Sequence, residues 1–93
     1  MMYPYIEFPD ETLVTHSQVL NENDEAKAIE VHFERPKPYG FDSARIRLPS
    51  YTWLFRDGFA ADEITLFENF AERHAHTLFY YAETGGVPIA QAV

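Results

Sequence analysis

Between residues 28 and 48 the chain alternates apolar and polar side chains twice, once on each side of a bend that holds two prolines and a glycine. In "AIEVHFER", Ile29, Val31 and Phe33 share one side of an extended backbone, and Glu30, His32 and Glu34 share the other. "SARIRL" repeats the pattern, with Ala44, Ile46 and Leu48 opposed to Ser43, Arg45 and Arg47. Two half-buried strands, 28–35 and 42–49, are therefore expected as antiparallel neighbours. The intervening "RPKPYGFD" reads as a hairpin loop longer than a two-residue turn, because proline has no N–H to give a ladder. Two registers keep the apolar faces together. One pairs Glu34 with Arg45 and His32 with Arg47; the other pairs His32 with Arg45 and Glu30 with Arg47. Either places opposite charges across the strands.

Upstream, the β-branched run "TLVTHSQVL" predicts a third strand over 12–20. Its inward face is balanced between Leu13/Thr15/Ser17/Val19 and Val14/His16/Gln18/Leu20. "YPYIEF" predicts a short strand over 3–8, and Pro4 and Pro9 suit a sheet edge. Downstream, Pro49, Asp57 and Gly58 argue against one long regular element in "LPSYTWLFRDGF".

From residue 61 the period changes. Ile64, Phe67, Ala71, His74, Ala75, Leu78 and Ala82 recur at spacings of three and four, which predicts a helix over 61–84 with one apolar stripe. Asp62 and Glu63 favour its positive N-terminal end, and Gly85-Gly86 provide a stop. An apolar tail, 87–93, follows. The expected fold is α+β, a three- or four-stranded antiparallel meander with one long C-terminal helix packed on one face. At 1.5 Å per residue the helix would be roughly 35 Å long, against about 20 Å for four strands side by side, so it is expected to overhang the sheet.

A chain of 93 residues, 46% hydrophobic and 16% aromatic, suits a single domain, 1–93, stabilised by an aromatic core. It has no cysteine, which excludes disulfides and thiolate metal sites. The N-terminus has neither a basic region nor an apolar core of the kind that directs export, and a cytoplasmic protein is expected. The formal charge of −8 weighs against polyanions and anionic membranes as partners. That charge is uneven. Residues 27–47 carry five basic side chains against three acids, whereas both flanks are acidic.

Two surfaces are candidates for function. The first is the polar sheet face, Glu30, His32, Glu34, Arg45 and Arg47. There an imidazole beside carboxylates could act as a base, and two guanidiniums could hold an anion. The plainer reading is a set of cross-strand ion pairs worth about 0–1 kcal/mol each. No Ser-His-Asp pattern and no glycine-rich phosphate loop accompanies it. A metal is not expected either: His74 and His76 point about 200° apart on a helix, and Glu72 with His76 supplies only two ligands. No cofactor is expected.

The second surface is a further strip on the helix, Leu66, Phe70, Arg73, Thr77, Tyr80 and Tyr81, on a side the sheet should not cover. Large apolar and aromatic groups flanked by arginine are typical of protein interfaces. The expected function is therefore a non-enzymatic, acidic protein-interaction module that forms a homodimer or binds and regulates a protein partner, as antitoxins and inhibitors do. The alternative is a small-ligand or catalytic site on the polar sheet face.

Overall fold

The computed structural model describes residues 1–21 and 27–88. Six strands, β1 (Met2–Glu7), β2 (Leu13–Ser17), β3 (Leu20–Asn21), β4 (Lys27–Lys37), β5 (Gly40–Leu48) and β6 (Thr52–Asp57), precede the helix α1 (Ala61–Thr84). The sheet is antiparallel in the order β1-β2-β4-β5-β6, and the two-residue β3 pairs with the start of β4. The class is α+β, as expected, but the sheet proper has five strands and not three or four.

The additional strand is β6. It pairs Phe55 with Arg45 and Trp53 with Ile46, so that Leu54 is left over as a bulge. A bulge puts two residues opposite one and breaks period 2, which is why three successive apolar residues gave no strand signal. The hairpin loop is also tighter than expected. Lys37 pairs with Gly40, leaving Pro38 and Tyr39 as a two-residue turn. Pro38 suits the first turn position, and Gly40 follows at φ 143. Pro36 is tolerated because β2 stops pairing with β4 at Glu34, so no neighbour on that side needs its N–H.

The β2 ambiguity resolves toward Val14 and His16, both fully buried beneath the helix. Pairing with β4 stops at His16↔Val31 and resumes at Leu20↔Ala28. In the gap, the Glu30 N–H donates to Ser17 Oγ at 2.9 Å, and that hydroxyl donates to the Gln18 carbonyl at 2.7 Å. A side chain thus replaces the missing backbone partner. On the outer edge, the register of β1 slips between Pro4 and Ile6. Tyr3 and Tyr5 both reach the helix side, where their rings lie 5.6 and 6.2 Å from that of His16.

The helix boundaries match the expectation. Glu63 Oε1 accepts the Ala60 N–H at 2.9 Å, and Gly85, at φ 89, closes the C-terminus through the Tyr81 carbonyl. Its direction does not match. Glu63 pairs with Arg35 and Glu83 pairs with Lys27, the latter at 2.7 Å, so α1 runs antiparallel to β4 along the strands. Twenty helical residues cover about 30 Å and eight strand residues about 26 Å, and the two elements are therefore commensurate. The expected overhang came from laying the helix across the strands.

Between the layers, Phe33 stacks on Phe67 with centroids 4.3 Å apart and planes 6° apart. Ile29, Val31, Ile46 and Leu48 are fully buried against Ile64, Ala71, Leu78 and Ala82. Burial of such side chains is worth about 1.5–3 kcal/mol each. Trp53 turns inward, its ring 6.2 Å from Phe33, and Tyr51 packs at the core margin, where burial raises its phenol pKa. Among the described residues no helix is long and apolar enough to cross a membrane. The expected tail falls largely outside the described residues.

Candidate functional site

The polar face takes the second of the two registers, Glu30↔Arg47 and His32↔Arg45. Glu30 accepts from both arginines, Arg45 Nη1 to Oε1 and Arg47 Nη2 to Oε2, each at 3.1 Å. One carboxylate thus bridges two guanidiniums on the adjacent strand. His32 Nε2 lies 2.6 Å from Ser43 Oγ, and the Phe55 ring stands edge-on to the imidazole at 5.9 Å. The Arg45 guanidinium carbon lies 5.7 Å from the same phenyl centroid. Burial, followed by the charge of Arg45, lowers the His32 pKa below its ordinary 6.5, and Glu34 opposes the shift. The imidazole is therefore neutral at pH 7. Glu34 sits one rung away, between Leu13 and Ser43. The expected residues do share one face, but the charges mostly satisfy each other.

On the helix the second strip divides. Phe70 is only 5% exposed. Its ring packs edge-on to Phe8 at 5.1 Å, to Tyr5 at 6.2 Å and to Phe33 at 6.2 Å, and it stacks on His74 at 4.1 Å. Phe70 belongs to the core, a correction to its place on the free strip. β1 and the turn after it widen the sheet side enough to cover this part of the helix. Tyr81 is half-buried, its ring 6.3 Å from Tyr5. Leu66 and Tyr80 remain 54% and 57% exposed, and Arg73 and Thr77 are exposed between them.

His74, which the periodicity puts in the apolar stripe, is half-buried. The Tyr5 hydroxyl lies 2.7 Å from its Nδ1. Burial and the neighbouring Tyr81 raise the Tyr5 pKa, so the phenol stays protonated in this contact at neutral pH.

Where β1 turns into β2, a groove of about 420 Å³ opens beside the helix. Phe8, Pro9, Leu66, Phe67 and Phe70 form its apolar lining, with Asp10 and Glu63 at one end and Arg73 at the other. Its acidic end is organised by Arg35. The guanidinium reaches Asp42 from Nε and Nη2 at 3.1 and 2.8 Å, Asp10 from Nη1 at 3.2 Å, and Glu63 from both Nη atoms. Lys37 Nζ adds a 2.6 Å contact to Asp42, and Arg35 also lies over the Phe59 ring at 4.9 Å. Hydrogen bonds hold all three carboxyls below their ordinary range, that of Asp10 chiefly through Thr12 and then Arg35, that of Asp42 through Lys37 and Arg35, and that of Glu63 through Arg35 and the Ala60 N–H, so all three are ionised at neutral pH. Three carboxylates meet two cations, leaving one negative charge unmatched beside the groove.

Sequence reading missed Phe8, Asp10 and the role of Arg35. The partners of Arg35 are 7, 25 and 28 residues away in the chain, and no periodicity connects them. The available signal was weaker: Arg35 breaks the alternation of β4 by sitting on the inner side, opposite Asp42.

Fold and surface together define a class, a five-stranded antiparallel sheet with one face covered by a single commensurate helix and an aromatic groove at their junction. Comparison with protein-family models, with curated proteins and with solved structures gave no match for this chain.

Proposed function

We propose that this protein is a non-enzymatic protein-interaction module whose working surface is the exposed strip of α1, Leu66, Arg73, Thr77 and Tyr80, together with the groove beside it. The observation that carries this reading is the groove itself: an apolar cleft, floored by the buried rings of Phe67 and Phe70 and flanked by the half-buried Phe8, lies next to a leucine that is more than half exposed. Apolar clefts with a few charged groups at their ends are where partner side chains insert, and one or two anchors supply most of the affinity. The acidic charge fits binding and inhibition of a basic protein, by analogy of class with antitoxins and inhibitors.

The test is a Leu66→Glu, Tyr80→Glu double variant, compared with the unmodified protein by sedimentation velocity and by capture of a partner that is then purified and re-bound. Loss of association with an unchanged far-UV circular dichroism spectrum is expected. A protein that sediments as a monomer and re-binds nothing, or a variant that associates as well as the parent, refutes the proposal.

The His32–Ser43 contact favours a second reading, a small-ligand or catalytic site on the polar sheet face. A neutral imidazole beside a hydroxyl and two guanidiniums could take up a proton from an anionic ligand. Against it, Glu30 already occupies both arginines. His32→Ala would abolish binding or turnover of any such ligand while leaving the fold intact; an unchanged metabolite-binding profile removes this reading.

A further inference from the structure

Resting on the interaction reading, we infer that the groove beside α1 receives a cationic segment of a different protein, a bulky apolar side chain inserted between Phe8, Leu66 and Phe70 with an adjacent lysine or arginine set against Asp10 and Glu63. Charge selects this occupant. The acidic end of the groove keeps one unmatched negative charge after Arg35 and Lys37 are counted, and half of the Asp10 side chain faces solvent. Asp62, next to Glu63 in the first turn of α1, adds a further exposed acidic group at this end of the helix. A partner cation would find carboxylates already ionised and already held in place, so little side-chain entropy is lost on contact.

The same features disfavour a second copy of this chain. Each copy carries −8, so association sets like charges together. The free strip also has the wrong symmetry. Leu66 and Tyr80 stand seven residues to either side of Arg73. A two-fold axis that paired Leu66 with the second copy's Tyr80 in antiparallel helices would therefore place Arg73 against itself. A foreign segment with an apolar anchor and a positive charge meets neither penalty.

The experiment uses two blocked dipeptides, N-acetyl-tryptophanyl-arginine amide and N-acetyl-tryptophanyl-glutamate amide, titrated into the ¹⁵N-labelled protein and followed by amide chemical shifts. Saturable shifts at Asp10, Leu66, Phe67 and Phe70 are expected, with the arginine peptide bound about tenfold more tightly than the glutamate peptide at low salt, the sum of one attraction gained and one repulsion removed. Asp10→Asn should reduce that ratio to roughly threefold, and raised ionic strength should narrow it further. Equal binding of the two peptides in the groove overturns the cationic partner and leaves the interaction reading standing. A dimer of the unmodified protein that Leu66→Glu dissociates does the same. If neither peptide shifts the groove amides, both the inference and the reading beneath it fail.

Discussion

Gly58 offers a test of how the ionic cluster is built. It sits at φ 96 between β6 and α1, and a methyl group added to it would lie 2.0 Å from Asp42 Oδ1 and 2.8 Å from Asp42 Cγ. Gly85, at the helix C-terminus, has nearly the same torsion, φ 89, with nothing within 4 Å of the added carbon. The two positions therefore share the left-handed backbone cost, about 1–2 kcal/mol for alanine, and differ in the collision alone. Gly85→Ala should lower the melting temperature by roughly 5–10 °C for a domain of this size. Gly58→Ala should cost at least twice as much, because the Asp42 carboxylate must leave the position in which it accepts from Arg35 and Lys37. The assay is urea denaturation followed by far-UV circular dichroism, completed as a double-mutant cycle with Asp42→Ala. In that background the collision is absent, and the Gly58→Ala penalty should fall to the Gly85→Ala value. Equal costs for the two glycines in the parent protein, or an undiminished Gly58 penalty without Asp42, would refute the reasoning.

The division of the helix strip predicts that Leu66→Glu changes stability by no more than about 0.5 kcal/mol. Phe70→Glu, which puts a carboxylate among the rings of Tyr5, Phe8 and Phe33, should cost about 4 kcal/mol or more and leave little folded protein at 37 °C. Ser17→Ala strands the Glu30 N–H and should cost about 1–2 kcal/mol, with faster amide exchange at Glu30 as its local signature. Stability should fall in two stages on acidification, measured as the urea midpoint. The His32 pKa is lowered on folding, so the unfolded chain binds the proton first and stability declines as pH drops below 6.5; His32→Gln should remove that stage. Asp10, Asp42 and Glu63 are also lowered, so their contribution is intact above the ordinary values of 3.8 and 4.5 and is lost as pH falls through the folded ones; Arg35→Gln should flatten that stage. A midpoint that rises on acidification would contradict both assignments.

What the sequence made legible was whatever depends on one period in one segment. Ile29, Val31 and Phe33 against Ala44, Ile46 and Leu48 gave two adjacent strands, and keeping those apolar faces together narrowed the pairing to two registers, between which the charges did not choose. Ile64 to Ala82 gave a helix with the right ends. β6 was lost because Leu54 is a bulge, and the hairpin was drawn too loose because Pro36 lies just past the last partner on β2, where no alternation reports it. The burial of Phe70 depended on how far β1 reaches across the helix, a fact about sheet width. On the candidate site, Leu66, Arg73, Thr77 and Tyr80 followed from helical geometry. Phe8, Asp10 and Arg35 could not, since three elements meet there at large chain separation.

The two ion pairs that fasten α1 to β4, one near each end, make the helix and the strand a pair of rulers read against each other. A strand advances about 3.3 Å per residue and a helix 1.5 Å, so two residues inserted into β4 lengthen it by as much as four inserted into α1. Two in β4 keep its inward alternation, and four in α1 return the stripe almost to its original face. In diverged chains of this architecture, length changes in the strand and the helix should therefore come together, in that two-to-four proportion.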